Sequence, residues 1–504
     1  MSKIIELKFD NLSVIREMNP RLMSYNVEMT EVTGGTFWKS YTPEQIAGTE
    51  AFPPVKSFMD MGGIMQVYPP INLYNEKIRK LAKEFGPVWV RVSGTWATKT
   101  YYDFDGHTNG VVPEGYQSIC TKEQWIGVLD FCKAINAKLL VSVSNCEGLH
   151  KAHEPWHPTQ AKLLFDLSRE HGMSIEAAEF MNEPNMLAFS GAPVGYTSKD
   201  YTRDQDIFFK WVRENYPECK LVGPCTVGME AAGEILGEDQ ASAGGGIVSM
   251  MGDNCTTDQL MEGTVEPLDI YSYHYYNGIS DRLASIMPLM HWSPDSTLSE
   301  AYLKVALACC KASIPSRDKY CPGGEMWVTE SGDAGGGGDT WASTYMDVFR
   351  TLNELGGFSK LTNGIIFHNT LASSDYGFLD HKTFNPRPNY FAVLLWTRLM
   401  GNTVYESDIP VVEGAHVYCH SSKDGLGKTY LVINNSKVDT TKVILPKEAE
   451  MYLLSSEYIR SQTMLLNGRP LVLGPNDELP SLDSVKVEGE VELPPATCTF
   501  FVIR

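Results

Sequence analysis

From about residue 20 to about residue 400 the chain alternates two kinds of segment. Short runs dense in apolar and β-branched residues read as buried strands: "LMSYNVEM" (22–29), "PVWVRVSG" (87–94), "AKLLVSVSN" (137–145) and "AAEFMNEP" (177–184), then "KLVGPCTV" (220–227), "LDIYSYHYY" (268–276), "EMWVTESG" (325–332) and "NGIIFHNT" (363–370). Between them lie longer segments with apolar residues at helical spacing: 75–85, 121–135, 159–172, 198–216, 298–312, 339–357 and 389–401. The segment at 121–135 opens on a threonine suited to an N-cap, with acidic and amide residues just inside it. Eight buried strands alternating with helices predict an α/β fold, a (β/α)8 barrel. A doubly wound sheet is the competing arrangement, but no G-x-G-x-x-G follows the first strand.

After Gly401 the period changes. Short alternating runs such as "VYCHSS", "KTYLVINN", "KVILP" and "TCTFFVIR", with Gly, Pro, Asn and Asp between them, predict a small all-β sandwich. The expected organisation is a catalytic barrel over 21–402 and a sandwich over 403–504. The opening "IIELKFD" also alternates, so residues 1–20 are expected to add a strand to the sandwich.

Composition narrows the class. A chain of 504 residues exceeds one ordinary core, which agrees with two bodies. The N-terminus has charges every few residues and no apolar stretch of signal-peptide type, so a cytoplasmic location is expected. No apolar run reaches the ~20 residues that span a membrane. The 11 cysteines form no C-x-x-C pair and read as free thiols. A net charge of −20 without any Lys/Arg-rich run argues against nucleic acid as a partner.

Residues at the C-terminal ends of barrel strands face the site in such folds. That filter selects Glu28, Arg91, Asn182, Glu183, His274, Tyr276, Glu330 and Asn369. The set is rich in carboxylates, lacks Cys/His metal spacing, and contains no G-x-S-x-G elbow. Two carboxylates across a barrel mouth suit glycoside cleavage, one protonated to assist the leaving oxygen and one ionised to attack the anomeric carbon. Glu183 ends the fourth expected strand and Glu330 the seventh, so only the fold can bring them together.

The pieces "VWVRVSGT" (88–95), "FMNEPN" (180–185), "YSYHYYNG" (271–278), "WVTESGDAGGGG" (327–338) and "SDYGFLDHKTFNPRPNYFAVLLWTRLMG" (374–401) occur in an order that resembles glycoside hydrolase family 79, the heparanases and β-glucuronidases of clan A. The resemblance implies a retaining mechanism, with Glu183 as acid/base and Glu330 as nucleophile. It implies that Asn182 hydrogen-bonds the sugar 2-hydroxyl, that Tyr276 holds Glu330 ionised and aligned, and that Arg91 lies under Glu330. It assigns uronate recognition to the backbone amides of Gly336 and Gly337 and to Tyr376. Glu28, Thr95, His274 and Asn369 would line the same subsite. The chain departs from the family at the second strand, where paired glycines are usual and Ser93 stands here, and in the insert at 106–117.

The resemblance therefore implies an exo-acting β-glucuronidase with a carbohydrate substrate and no cofactor or metal. The net charge argues against a long sulfated chain as substrate. A clan A β-glycosidase on a neutral sugar would keep both glutamates without needing Tyr376 and the glycine run. A carbohydrate-binding protein on the same scaffold would need neither acid. Trp38, Trp96 and Trp156 are either sugar platforms or core. The cluster "HEPWHP" (153–158) has too few ligands for a metal and reads as a loop.

Overall fold

The computed structural model describes residues 3–56, 61–227 and 255–504. Eight parallel strands close into a barrel in chain order: β1 (Met23–Glu28), β2 (Trp89–Ser93), β3 (Lys138–Ser142), β4 (Ala177–Glu179), β5 (Lys220–Val227), β6 (Ile270–Ile279), β7 (Glu325–Gly335) and β8 (Ile366–His368). Closure is made by β1, which pairs with β2 on one side and β8 on the other. All eight expected strands are these strands. The fourth run was expected to extend to Pro184, but pairing ends at Glu179, so Asn182 and Glu183 sit on the exit from β4.

Alternate residues of each strand point inward. On β2 these are Trp89, Arg91 and Ser93, and their chemistry changes up the barrel. The lowest layer is an apolar plug of Trp89, Leu140, Ala177, Val222, Ile270, Trp327 and Phe367. The rings of Trp89 and Trp327 meet edge-on at 4.9 Å. Above the plug the interior turns polar and ionic. The barrel is thus a filled core whose upper layers are given to chemistry.

Among the described residues, seven longer helices cover the barrel strands: α1 (Glu76–Glu84), α2 (Lys122–Ala134), α3 (Thr159–Glu170), α4 (Ser198–Asn215), α5 (Val305–Tyr320), α6 (Met346–Leu361) and α7 (Pro388–Leu399). The N-terminus of α2 carries a reciprocal capping box. Thr121 accepts from the Gln124 amide N–H, and the Gln124 side chain accepts from the Thr121 N–H. Two expected boundaries differ. The helix expected at 298–312 divides into a short turn, Glu300–Leu303, and α5, which runs through Pro315 to Tyr320. Proline reads as a breaker because it loses an N–H, but packing of Ala308, Cys309 and Cys310 holds this helix. The helix expected from residue 339 begins at Met346, because Asp339–Tyr345 form a buried turn tied to Asp333 through the Asp339 N–H.

Both chain ends contribute to sheets outside the barrel, one mixed and one antiparallel. Lys3–Glu6 pairs in parallel with Thr441–Ile444, and Val14–Glu17 pairs with Thr403–Tyr405. Ile5, Leu7, Val417, Tyr430, Val443 and Phe501 form the second apolar core. Tyr345 Oη donates to the Leu454 carbonyl, one of several links from the barrel to these sheets. Among the described residues the cysteines form no disulfide. Among the described residues no helix is long and apolar enough to cross a membrane.

Candidate active site

The site is built on one fully buried guanidinium. Arg91, on β2, donates through Nε and Nη2 to Glu179 on β4, through Nη1 to Glu330 Oε1 at 2.9 Å, and through Nη2 to Asn182 Oδ1 at 2.8 Å. The planar fork of arginine reaches three acceptors at once, which a lysine ammonium cannot do with the same geometry. Burial opposes the charge on Arg91, but the two carboxylates outweigh it and keep the guanidinium charged. Glu179 is also held by Cys225 Sγ at 2.9 Å and Ser93 Oγ at 2.7 Å. The serine that departs from the family pattern thus supplies a hydroxyl to this ionic layer.

Above Arg91 the two expected carboxylates meet. An oxygen of Glu183, a ring nitrogen of His274 and an oxygen of Glu330 all lie within 4.8 Å of one another. His274 Nδ1 is 3.0 Å from Glu183 Oε1. Its Nε2 faces Arg91 Nη2 at 3.4 Å. Tyr276 Oη donates to Glu330 Oε2 at 2.7 Å, and Asn369 Nδ2 donates to Tyr276 Oη at 2.9 Å. The backbone at Glu183 has φ +44°, an unusual value for a residue that precedes a proline. Strain of this kind costs about 1–3 kcal/mol and is retained where position matters.

The two carboxyls are pushed in opposite directions. Burial raises Glu183, and the charge of Glu330 adds to that, outweighing the hydrogen bond from His274. Burial also acts to raise Glu330, but His274, Arg91 and the Tyr276 hydroxyl together hold it below the usual carboxylate range. The surroundings therefore favour the proton on Glu183 and the charge on Glu330. Three such donors also make a set for a cation, but Arg91 already places a positive charge against Glu330, which opposes a second.

Glu28 ends β1 and is almost fully buried beside Glu330. Burial and the Glu330 charge raise it well above the ordinary range, which favours its neutral form. Its Oε2 has no hydrogen-bond partner. A Cβ on Gly94 would lie 1.8 Å from that oxygen, so the glycine of "VSGT" is the residue that lets Glu28 in. Thr95 follows it, half-buried at the barrel mouth.

The glycine run is a fixed bend. Arg282 is fully buried and donates to the carbonyls of Gly336 and Gly338, pairs with Asp375, and stacks on Tyr41 at 3.8 Å. Ser374 Oγ donates to the Gly337 carbonyl at 2.8 Å. Tyr376 is buried, and its hydroxyl accepts from Asn369 Nδ2 at 3.2 Å. Asn369 thereby joins the tyrosine beside the run to the tyrosine that holds Glu330. Gly337 has φ +90°, and a Cβ there would come within 2.6 Å of Trp38 Cβ. Gly337→Ala is expected to raise KM for a carboxylate-bearing substrate about tenfold or more while lowering kcat less, because it shifts the bend and leaves the carboxylate pair alone. Steady-state kinetics separate the two, and an unchanged KM would show that the bend lies outside the substrate's reach.

Several aromatic and histidine candidates resolve. Trp156 is buried among Phe180, Phe208 and Trp211, so it is core. Trp96 is half-buried against Phe37, whereas Trp38 lies beside Gly337. In "HEPWHP" the histidines diverge, His153 to Asp200 and His157 to Thr159. Sequence reasoning missed Glu179 and Arg282. The signal for Glu179 was present: a charged residue inside the apolar run "AAEFM" needs a buried partner.

No family model matches the chain. Relatives do. A baicalin-beta-D-glucuronidase of Scutellaria baicalensis is 24% identical over 469 residues, covering 86% of this chain and 83% of its own. Heparanase-like protein 2 of Arabidopsis thaliana is 25% identical over 491 residues, covering 86% and 85%. Among solved structures, a 4-O-alpha-L-rhamnosyl-beta-D-glucuronidase from Fusarium oxysporum superposes with a TM-score of 0.61 at 11% identity, covering 99% of this chain and all of that one. That likeness concerns the fold.

Proposed function

The chain resembles the heparanase-like proteins and β-glucuronidases over most of its length, and on that premise we propose that it is a retaining glycoside hydrolase that removes β-glucuronic acid from glucuronides or uronic-acid oligosaccharides. The observation that carries the mechanism is the carboxylate pair. Oxygens of Glu183 and Glu330 lie within 4.8 Å. Retaining pairs stand ~5–5.5 Å apart and inverting pairs ~6.5–9.5 Å, the latter leaving room for a water.

In this mechanism Glu330 attacks the anomeric carbon and forms a glycosyl-enzyme. Glu183 gives its proton to the departing oxygen, then takes one from the water that releases the sugar. Asn182, fixed by Arg91, is placed to meet the sugar 2-hydroxyl. Tyr276, and Asn369 through it, hold Glu330 for attack. Glu28, Thr95 and His274 line the sugar subsite. The uronate is read by the Gly336 and Gly337 amides and Tyr376, since backbone amides grip a carboxylate with no side chain in the way. Residues 21–402 form the catalytic body, and residues 403–504 with 1–20 brace it.

The pH profile follows from the two shifts. Glu330 must be ionised, and its value lies below the ordinary ~4.3, so activity is lost as pH falls through that lowered value. Glu183 must be protonated, and its value is raised, so activity is lost as pH rises through it. The expected kcat/KM profile is a bell between them. Glu183→Gln should abolish the alkaline limb, measured with an aryl glycoside whose leaving group needs no proton. An alkaline limb that survives would assign it to another group.

The reading is tested by hydrolysis of p-nitrophenyl β-D-glucuronide beside the β-glucoside, β-xyloside and β-galactoside. Turnover of the glucuronide alone supports both the pair and the uronate pocket. Turnover of a neutral sugar keeps Glu183 and Glu330 and discards the roles of Gly336, Gly337 and Tyr376.

A further inference from the structure

Asp281, His291 and Asp339 converge beside the glycine run. Asp281 lies in the turn after β6 and immediately precedes Arg282. Asp339 immediately follows Gly338. His291 reaches in from the loop after the short 3-10 turn Pro288–Met290. Its Nε2 is 3.0 Å from Asp281 Oδ1 and 3.1 Å from Asp339 Oδ2. All three donor atoms lie within 4.8 Å of one another.

The directions of these groups matter as much as the distances. Although both oxygens are within reach, His291 Nε2 makes no directed hydrogen bond to either. Asp339 is 1% exposed, yet its Oδ2 also has no hydrogen-bond partner. Its other oxygen is satisfied by the Thr340 N–H at 2.7 Å. A buried carboxylate oxygen and an imidazole nitrogen thus share one space at ion-pair distance without a directed hydrogen bond between them. Two ligands ~2.1 Å from a cation and at right angles to each other, as in a five- or six-coordinate site, are ~3.0 Å apart, which matches both measured separations.

We propose that Asp281, His291 and Asp339 form a site for a divalent transition-metal ion, which by the general order of affinities binds Zn²⁺ more tightly than Mn²⁺. One imidazole and two carboxylates suit zinc or manganese, whereas calcium takes oxygen donors alone. The Asp281 and His291 side chains are 27% and 19% exposed, so the ion has an entry path and room for water in its remaining positions. The Arg460 guanidinium donates to Thr340 Oγ1 at 2.9 Å and offsets part of the local negative charge, which limits affinity. The ion would tie the turn that carries Arg282 to the end of the glycine run. An effect on turnover rests on the glucuronidase reading; binding of the metal does not.

The test uses the full chain, stripped with chelator and then freed of it, titrated calorimetrically with Zn²⁺, Mn²⁺ and Ca²⁺. The expected result is one equivalent of Zn²⁺, weaker Mn²⁺ and no Ca²⁺, with a Zn²⁺-dependent rise in the thermal midpoint. Asp281→Asn and His291→Gln should each weaken Zn²⁺ by about tenfold or more. Both residues are partly exposed, so both variants should fold. Co²⁺ added to the unaltered protein supplies a readout that needs no variant, a d–d absorption band that Zn²⁺ displaces. Absence of saturable Zn²⁺ binding, or a dissociation constant unchanged in both variants, overturns the proposal. Because metal binding is measured without substrate, inactivity on glucuronides would leave this result intact.

Discussion

Glu330→Gln is expected to reduce kcat by about 10⁴-fold or more on every glycoside the protein cleaves. The substitution keeps the shape and removes the charge. Arg91 retains Glu179 as its ion partner, so the layer beneath stays intact. Tyr276 keeps an amide within reach. What is lost is the nucleophile, and neither neighbouring acid is suited to replace it, because their surroundings favour the protonated forms of Glu183 and Glu28. Glu183→Ala should cost about 10²–10⁴-fold, and less when the leaving group is good enough to depart without a proton. Azide separates the two roles. With Glu183→Ala it should intercept the glycosyl-enzyme and give a product of retained configuration. With Glu330→Ala it should enter directly and give the inverted one. NMR of the glycosyl azides reads the outcome. A Glu330→Gln protein with normal turnover would falsify the double-displacement mechanism, and a carbohydrate-binding role would replace it.

The barrel was legible because its strands are buried on both faces and therefore stand out as dense apolar runs of strand length. Glu183 and Glu330 were legible for a related reason. A carboxylate at the end of such a run has no structural use for a packed strand, so chemistry is the economical explanation. The boundaries at β4 and at α6 were less so. In each case hydrogen bonds from distant residues decide where the element stops. Asp339 looked like the start of a helix, and only the fold turns it towards His291 and Asp281.

The support beneath the carboxylates was half legible. Arg91 was expected under Glu330 and lies there. Its larger partner, Glu179, was passed over, because pairing across 88 residues depends on two strands facing each other in a closed barrel. Ser93 stands out in the sequence only as a departure from the family's paired glycines. Its hydroxyl instead meets Glu179 inside the barrel, where a glycine would leave that oxygen with one contact fewer.

That buried layer carries the second large effect. Arg91→Met is expected to destabilise the protein by about 3–5 kcal/mol, because it strands Glu179 and Glu330 without a counter-charge in the interior. A folded fraction should show a second change. Glu330 loses one of the groups that hold it ionised, so its value rises and the acid limb of the pH profile moves up. The two effects have different owners. Adding Glu179→Gln to Arg91→Met removes one stranded charge, so much of the stability should return. It does nothing for Glu330, so the acid limb should stay displaced. Thermal unfolding and kcat/KM against pH, measured on the same two proteins, test this division. If the double variant recovered the profile as well as the stability, Arg91 would act on Glu330 only by holding the barrel interior in shape, and His274 with Tyr276 would be sufficient to keep the nucleophile charged.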